Sequence, residues 1–495
     1  MGNSHSYKTV FFIIGTMLAA LAVGMIIPAI ADVATGDEDW RGFLVSAAFT
    51  GFIAVALILT NRGDLPPLSA AHAFLLTGLT WIALAAFAAL PLAFSRLDLS
   101  YTNAFFEAMS GLTTTGATVI IGLEEAPPSI LLWRALLQWF GGIGIIVTAI
   151  SVLPLLNVGG MQLFRLENSD TSEKILPRTA QLAGSIGRLY VIITGACACA
   201  YFVAGMSVFD ATTHAMTTIA TGGFSTHDDS FAAFDSAAIE YVAIIFMIVA
   251  SLPFVAYLQI TNNFTREKVR GFFEDAQIRM FFALVALCII TLWAYQIMAQ
   301  VGGASGEGSG GESLRYAAFN ATSILTGTGY VSTNYSTWGG FAIICFFLLS
   351  FIGGCAGSTA CGLKIFRVQI LFKTGWRYVR QLSFPNGVFI IRYNGRLLDD
   401  ATANSITAFI FIFFLTFAFI AVILSLMGLE PLTALSASAA AIANVGPGLG
   451  EVIGPTGTYT SLPDGAKWLL AAGMLLGRLE FLTILVMLTP EFWRR

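Results

Sequence analysis

The eight residues IATGGFST, at positions 219–226, carry no charge, contain two adjacent glycines and lie between hydrophobic segments. Three other stretches resemble them: TTTGATV at 113–119, GTGYVST at 327–333 and NVGPGLG at 444–450. Aligning the four stretches from the sequence places one glycine of each in register, namely Gly116, Gly222, Gly329 and Gly446. Their nearly regular separation along the chain indicates an internal repeat with four copies.

Each glycine stretch follows a short segment with a helical pattern of apolar residues. The four segments are Tyr101–Leu112, Ala211–Ile219, Leu314–Leu325 and Pro431–Ala441. Such segments are too short to cross a bilayer, since a spanning helix needs about 20 residues. Long apolar segments flank each copy, and the one that closes the second copy is predicted as a single run, Tyr241–Thr265. The predicted unit is therefore a spanning helix, a re-entrant helix, a glycine turn and a second spanning helix.

The composition places this repeat in a membrane. Of the 495 residues, 56% are hydrophobic and only 11% are charged, and the mean hydropathy is +0.79. Soluble domains have about 25% charged residues. We therefore predict an all-α polytopic membrane protein with ten spans, in which four repeats surround one pore and two N-terminal transmembrane helices precede them. The predicted boundaries are 1–66 for the N-terminal helix pair, 67–164 for repeat 1, 165–268 for repeat 2, 269–375 for repeat 3 and 376–495 for repeat 4.

The distribution of charge orients the chain. With the N-terminus in the cytoplasm, most lysines and arginines fall on the inner side and most acidic residues on the outer side. This arrangement obeys the positive-inside rule and predicts that both termini are cytoplasmic. An acidic outer face favours cations electrostatically, although translocated loops also tolerate acidic residues that have no such role.

The glycine turns predict cation binding. Non-helical backbone at membrane depth is tolerated only where protein buries it or where it lines a water-filled cavity. Four such turns are therefore expected around a shared aqueous axis, where backbone carbonyls replace the hydration shell of a cation. Glycine permits the positive φ that aims a carbonyl inward, and the C-terminal end of each short helix adds partial negative charge. Packing of small residues between helices, the alternative, does not explain glycines that follow short helices.

In combination, these motifs resemble the Trk/Ktr/HKT superfamily of cation transporters, most closely its TrkH branch. The stretches GGCAGSTACGLKIFR at 353–367 and GRLEFLTILVMLTPEFW at 477–493 add to the resemblance, which covers essentially the whole chain. The extra N-terminal helix pair looks like TrkH, because the shorter KtrB type has eight spans. The resemblance implies a potassium uptake subunit of a bacterial inner membrane, a homodimer with one pore per protomer, and a cytosolic nucleotide-binding partner of the TrkA type.

The resemblance also implies the residues of a selectivity filter. They are the four aligned glycines and the residue before each: Thr115, Gly116, Thr221, Gly222, Thr328, Gly329, Val445 and Gly446. The fourth copy departs from the others, with Val445 in place of threonine and Pro447 after the glycine. The four sides of the filter, called its walls below, are therefore not equivalent. Superfamily members that prefer sodium carry serine at the first filter glycine, so Gly116 favours potassium.

A glycine-rich break is expected below the filter. The stretch FIGGCAGSTACG, residues 351–362, contains four glycines at positions 353, 354, 357 and 362. One glycine alone costs a helix about 1 kcal/mol, so this stretch predicts an interruption. We expect few packing contacts there. The side chains of Ser358 and Thr359 are expected to form hydrogen bonds with backbone groups that the interruption leaves unpaired. In the family the break is an intramembrane loop that obstructs the pore, and a flexible kink without a gating role is the alternative. The residues assigned to the gate are Gly353, Gly354, Gly357, Ser358, Gly362, Lys364 and Arg478.

Arg478 lies inside the final predicted span. An arginine there costs at least about 2.5–3.5 kcal/mol on insertion scales, so a function is expected. The family places this arginine at the pore beneath the filter, and a static salt bridge to another helix is the alternative. Arg134, beside Trp133, is instead predicted to anchor its helix at the membrane interface.

The sequence contains no domain large enough to bind a nucleotide. Its one G-x-G-x-x-G match, at 306–311, follows no predicted strand and is interpreted as an outer linker. Nucleotide control is therefore expected from a partner, with the basic segments 266–279 and 364–396 as candidate docking surfaces or as topology determinants alone. An alternating-access symporter coupled to protons or sodium is the alternative function. We expect no enzyme activity, no cofactor and no nucleic acid, with K⁺ as the transported ion and the bilayer as the surroundings.

Overall fold

A computed structural model describes residues 4–63, 70–151, 175–262, 264–301, 310–479, 481–487 and 489–493. The described chain is helical apart from one short antiparallel hairpin, β1 (Arg392–Tyr393) and β2 (Arg396–Leu397). The predicted fold class is confirmed: a helix pair precedes four units that each contain a short helix followed by a glycine turn. The segment 302–309, which holds most of the G-x-G-x-x-G match, lies outside the described residues.

The helices follow the chain in five groups. The N-terminal pair is α1 (Ser4–Thr35) and α2 (Trp40–Thr60). Repeat 1 contains α3 (Ala70–Ala93), α4 (Tyr101–Leu112) and α5 (Pro128–Ser151). Repeat 2 contains α6 (Ile175–Val203), α7 (Val208–Ile219), α8 (Ala237–Ala250) and α9 (Phe254–Asn262), followed by α10 (Arg266–Glu274). Repeat 3 contains α11 (Ala276–Val301), α12 (Gly310–Leu325), α13 (Gly340–Ser350) and α14 (Ile365–Ser383). Repeat 4 contains α15 (Asp400–Leu426), α16 (Pro431–Ala443), α17 (Asp464–Arg478), α18 (Phe481–Met487) and α19 (Pro490–Trp493).

Seven described helices are long and apolar enough to cross a membrane: α1, α2, α3, α5, α6, α11 and α15. The prediction of one run over 241–265 is wrong, because α8 and α9 meet at an angle of 89°. Pro253 precedes α9 and supplies no amide hydrogen, so the helix cannot continue through it. The closing helices of repeats 3 and 4 are also interrupted, between α13 and α14 and between α17 and α18.

The short helices α4, α7, α12 and α16 lie inside the bundle. Two of them have serine caps at the N-terminus: the Ser100 hydroxyl accepts the Asn103 amide at 3.3 Å, and the Ser207 hydroxyl accepts the Asp210 amide at 3.0 Å. Such caps satisfy amides that the first helical turn leaves free. Every residue of α4 from Ala104 to Leu112 is buried. The short helices therefore end in the interior of the protein.

Contacts between neighbouring repeats close a ring. Besides the helices of its own repeat, α7 packs against α5 of repeat 1, α12 against α8 of repeat 2, and α16 against α13 of repeat 3. The ring closes where α4 of repeat 1 packs against α17 of repeat 4. The four repeats are thus arranged in chain order around one axis, and the C-terminal ends of the short helices converge there.

Candidate functional site

All four short helices end in the same backbone motif. In each, a backbone amide donates a hydrogen bond to the carbonyl of the residue five positions earlier, in the last turn of the helix. This bond is the longer-range of the two that define a Schellman motif. The four bonds are Thr115 to Ser110 at 2.8 Å, Gly222 to Thr217 at 2.9 Å, Thr328 to Ser323 at 2.9 Å and Val445 to Ala440 at 3.0 Å. The residue before each donor has left-handed φ: Thr114 (52°), Thr221 (51°), Gly327 (72°) and Asn444 (53°).

This motif corrects the register that we aligned from the sequence. A second left-handed residue follows each donor, and in repeat 2 it is Gly223, with φ 78°. Gly222 does not have positive φ and corresponds instead to Thr115, Thr328 and Val445. Thr221 likewise corresponds to Thr114 and not to Thr115. The four equivalent glycines, called the ring glycines below, are Gly116 (φ 87°), Gly223 (78°), Gly329 (82°) and Gly446 (94°).

The ring glycines lie against backbone oxygens of the next repeat. A Cβ added to Gly446 would lie 2.6 Å from the Thr115 oxygen, and real Cβ atoms essentially never approach closer than 3.0 Å. The other three glycines are tighter still: an added Cβ would meet the oxygens of Gly222, Thr328 and Val445 from Gly116, Gly223 and Gly329, respectively. Four carbonyl oxygens and four glycines therefore alternate in a closed ring. Only glycine fits each ring position, because both the space and the positive φ exclude a side chain.

The residue before each ring glycine carries a side chain in three repeats and none in repeat 2. Gln138 of α5 fills that space, since a Cβ on Gly222 would overlap its side-chain amide, 2.8 Å from Nε2. The Gln138 amide donates to the Gly222 oxygen at 2.7 Å and accepts the Phe224 amide at 3.1 Å. Gln138 therefore replaces the missing side chain of the second wall. Sequence reasoning missed it because the partners lie on different helices.

Hydroxyl groups support two of the other walls. The Thr115 hydroxyl lies 2.8 Å from that of Thr113, and the Thr328 hydroxyl lies 2.8 Å from that of Thr326. Asn444 joins repeats 4 and 1, because its Nδ2 donates to the Thr115 hydroxyl at 2.8 Å. The site is thus built from backbone carbonyls, hydroxyls and amides. Among the described residues, no group of three or more His, Cys, Asp and Glu side chains is placed to hold a metal ion.

Arg134 is part of this site, and the prediction that it anchors its helix at the membrane interface is wrong. Only 1% of the residue is exposed. Its Nε lies 2.8 Å from Oε1 of Glu107 on α4, and its Nη1 donates to the Ser225 oxygen at 2.8 Å. A buried arginine needs such partners, because desolvation of an unpaired charge is expensive. The sequence hid the pair because Glu107 belongs to another helix.

The predicted interruption of repeat 3 is present between Ser350 and Ile365. The expectation of few packing contacts is wrong. The stretch is largely buried, and the Cys355 amide donates to the Ser251 oxygen at 3.0 Å. The Phe254 amide donates to the Gly357 oxygen at 3.0 Å, and the Thr359 hydroxyl donates to the Ala250 oxygen at 3.0 Å. Backbone groups freed where α8 meets α9 therefore form hydrogen bonds with the interruption of repeat 3. Periodicity within one segment cannot predict such bonds.

The gate residues assigned from the sequence have different surroundings within this loop. Gly357 and Gly362 have positive φ (77° and 70°), whereas Gly353 and Gly354 lie too close to neighbouring atoms to accept a Cβ. The Ser358 hydroxyl donates to the Cys355 oxygen at 2.6 Å, and the Lys364 ammonium donates to the Ala360 oxygen. Cys361 reaches the ring region, where its Sγ lies 3.6 Å from the Thr114 hydroxyl.

Arg478 joins this loop to repeat 1. The side chain is buried at the end of α17, and it donates to the Thr359 oxygen at 3.2 Å, to the Gly141 oxygen at 3.0 Å and to the Cys361 sulfur. Among the described residues, which exclude Glu480, no acidic side chain forms a salt bridge with it. Arg478 lines one cavity with Cys361, Lys364 and Arg367. A fixed positive charge therefore lies at the loop beneath the ring.

Acidic groups lie in the loops that follow the first and second turns. Asp228 accepts the Gly122 amide at 2.7 Å, and Glu124 accepts the Asp228 amide at 3.0 Å. His227 lies 3.5 Å from Glu124. Burial opposes ionisation of Glu124, but backbone hydrogen bonds and the neighbouring His227 outweigh it and lower the pKa of Glu124. These contacts connect the loops that leave the first and second turns.

Two glycines on longer helices, Gly141 of α5 and Gly477 of α17, were also missed. A Cβ on Gly141 would overlap the Leu112 oxygen, and a Cβ on Gly477 would overlap the Ile442 oxygen. Each glycine lets its helix pass close beneath the end of a short helix, at α4 and α16. Leu112 and Ile442 hold equivalent places before the turns of repeats 1 and 4, so the two glycines permit the same close backbone approach.

Four short buried helices are followed by glycine turns whose carbonyls form one ring inside a bundle of apolar helices. This arrangement defines a membrane transport protein with a central pore. A family model described as "TrkH: Cation transport protein" matches residues 43–494. The chain belongs to this family.

Relatives extend over nearly the whole chain. It is 42% identical over 485 residues to the "Trk system potassium uptake protein TrkI" of Halomonas elongata, with 98% of this chain and 96% of that protein covered. It is 36% identical over 495 residues to the "Trk system potassium uptake protein TrkH" of Escherichia coli K12, covering 99% of both. The crystal structure of the potassium transporter TrkH from Vibrio parahaemolyticus matches with a TM-score of 0.90 and 34% identity, covering 99% of this chain and 100% of that one. The similarity therefore extends over nearly the full length of this chain and of each of these proteins.

Proposed function

We propose that this protein carries K⁺ into the cell through the ring of four glycine turns. The observation that carries the proposal is the closed ring, in which the oxygens of Thr115, Gly222, Thr328 and Val445 alternate with the ring glycines. Carbonyl oxygens held in such a ring replace the water around a dehydrated cation. Potassium is the ion because relatives across the whole chain are named as potassium uptake proteins.

The cation-binding residues of the proposal follow the corrected register. They are Thr115, Gly116, Gly222, Gly223, Thr328, Gly329, Val445 and Gly446, with Gly223 in the position first given to Gly222. Thr221 is not a cation ligand in this register; its left-handed backbone forms the turn that precedes Gly222. Val445 contributes through its backbone, as do the threonines, so its apolar side chain is compatible with the role.

The loop at 351–364 and Arg478 form the proposed gate. The loop touches the first turn through Cys361, and Arg478 donates to the Thr359 carbonyl of the same loop. A cation leaving the ring toward the loop meets this positive charge. Opening requires a second arrangement of the loop, and a ligand or partner favours it only to the extent that it binds that arrangement more tightly.

Regulation by a cytosolic nucleotide-binding subunit of the TrkA type fits the position of α14. This helix begins directly after the loop at Ile365 and carries Lys373, Arg377 and Arg380. Displacement of α14 by a partner would pull on the loop. We further propose a homodimer in the bacterial inner membrane with both termini in the cytoplasm, as expected from the family and from the charge distribution.

Ion flux in liposomes tests the proposal. Purified protein is reconstituted, and ⁸⁶Rb⁺ and ²²Na⁺ entry are measured with an imposed potential, with and without a proton or sodium gradient. We expect Rb⁺ entry driven by its own gradient and the potential, with Na⁺ entry much slower. Entry that occurs only with a proton or sodium gradient would contradict permeation and support a coupled symporter.

A further inference from the structure

Each short helix supports the chain that leaves its ring glycine, and the four supporting groups differ chemically. Glu107, His214 and Asn320 occupy the same position relative to their ring glycines. Glu107 accepts the Val119 amide at 2.8 Å, His214 lies 3.0 Å from the Ser225 hydroxyl, and Asn320 donates to the Ser332 hydroxyl at 2.9 Å. In repeat 4 the Ser436 hydroxyl accepts the Leu449 amide at 3.0 Å. Among these four supports, only that of repeat 1 is an acid with an arginine partner.

The charged support joins two repeats. Glu107 accepts the Thr118 hydroxyl at 3.0 Å through Oε1, the same oxygen that receives Nε of Arg134. The other end of the Arg134 guanidinium donates to the Thr118 hydroxyl at 3.3 Å and to the Ser225 oxygen at 2.8 Å. Thr118 and Ser225 hold equivalent places after Gly116 and Gly223. One planar group therefore sets the distance between the first and second filter segments.

The guanidinium has little freedom in this position. Its central carbon lies 4.1 Å from the centre of the Phe224 ring, the residue that directly follows Gly223. The guanidinium is planar and rigid, so the directions of its N–H donors are fixed relative to one another. A lysine at the same place keeps the charge, but its three N–H groups share one nitrogen and cannot span Glu107, Thr118 and Ser225, which the arginine reaches through three separate nitrogens.

From these contacts we propose that Glu107 and Arg134 form a positioning clamp that sets the spacing of the first two filter segments and thereby the preference for K⁺ over Na⁺. The inference rests on the proposed function of the ring. The clamp touches no carbonyl of the ring itself, so its effect reaches the ion through the placement of Gly116 and Gly223. Discrimination between two cations depends on how the carbonyl ligands are arranged.

The test compares cation selectivity in three single variants reconstituted in liposomes. Arg134→Lys keeps the charge and removes the guanidinium, and Thr118→Val removes the hydroxyl shared by both partners while conserving shape. Each is expected to lower the K⁺/Na⁺ flux ratio about tenfold, the value of one lost charge-assisted hydrogen bond. Arg315→Lys is the control, because Arg315 pairs with Glu240 at 3.5 Å and contacts no described residue of the ring. Its flux ratio is expected to equal that of the wild type.

A second measurement separates positioning from a merely structural role. The thermal midpoint of purified protein is recorded in K⁺ and in Na⁺, since at equal concentration the ion that binds the folded state more tightly stabilises it more. The clamp predicts that the difference between the two ions shrinks in Arg134→Lys and Thr118→Val, and lower midpoints with an unchanged difference would overturn it. If Arg134→Lys does not fold, Thr118→Val decides alone. A wild-type protein that does not distinguish K⁺ from Na⁺ would overturn the proposed function, whereas selective wild type and equally selective variants would overturn the clamp only.

Discussion

Replacing Gly223 by alanine tests the register of the ring. Gly223 has φ 78°, and an added Cβ would overlap the Thr328 oxygen of the neighbouring repeat. Left-handed backbone alone costs an alanine about 1–2 kcal/mol, which is about a 5- to 30-fold change in a conformational equilibrium. The overlap adds to this cost, because the obstacle is backbone that helps to form the ring. We expect Gly223→Ala to lower K⁺ uptake at least tenfold while the protein still reaches the membrane.

Gly222 provides the matched comparison, because its obstacle is a side chain. An added Cβ there meets the amide of Gln138, and three repeats already carry a side chain at this position. Gln138→Ala removes the obstacle but loses hydrogen bonds at 2.7 and 3.1 Å, each contributing about 1 kcal/mol. The double variant Gly222→Ala/Gln138→Ala is therefore expected to recover uptake to the level of Gln138→Ala alone.

The assay is ⁸⁶Rb⁺ uptake into liposomes that contain equal amounts of folded protein. Gln138→Ala should restore Gly222→Ala and should not restore Gly223→Ala, since the second clash is with the Thr328 backbone. The reverse result would refute the corrected register. Normal uptake in Gly223→Ala would remove this glycine from the pore altogether.

Three further predictions concern Arg478, Thr359 and Glu124. Arg478→Ala is expected to increase cation leak by removing the charge beneath the ring; normal flux with loss of folded protein would show a structural role instead. Thr359→Val removes a hydrogen bond of about 1 kcal/mol to the Ala250 oxygen and should raise basal K⁺ flux several-fold, whereas Thr407→Val, which alters a bond within α15, should not. Glu124 has a lowered pKa, so its stabilising contribution is present above its ordinary pKa of 4.5 and is lost as the pH falls below it. The thermal midpoint of Glu124→Gln should therefore fall less on acidification than that of the wild type, and parallel pH profiles would contradict this assignment.

The local features of the fold were predictable from the sequence. The helix α4 has the predicted bounds, Tyr101–Leu112, because its apolar pattern and its serine cap are both local. The break after Ser350 was visible because clustered glycines disfavour a helix wherever they occur. The register of repeat 2 was not, since both glycines of the pair tolerate positive φ. The choice between them depends on Gln138 of another helix and on the oxygen of Thr328 in another repeat.

Partners that are distant in sequence account for the other errors. Arg134 resembles an interfacial anchor when it is considered with Trp133 alone, and its partner Glu107 lies on α4. The loop of repeat 3 resembles a loosely packed segment until the broken ends of α8 and α9 supply its hydrogen bonds. In both cases the missing information is a contact between separate helices, which periodicity and composition within one segment do not contain.

Anomalous scattering from a heavy K⁺ substitute would show whether the ring of carbonyls binds the transported ion. Crystals of the protein grown in Rb⁺ or Tl⁺ should show anomalous peaks on the axis enclosed by the oxygens of Thr115, Gly222, Thr328 and Val445. The same peaks should weaken when Na⁺ replaces most of the heavy ion. Ordered heavy ions found only at the acidic loops that carry Glu124 and Asp228, with an empty ring, would show that the ring does not bind the transported ion.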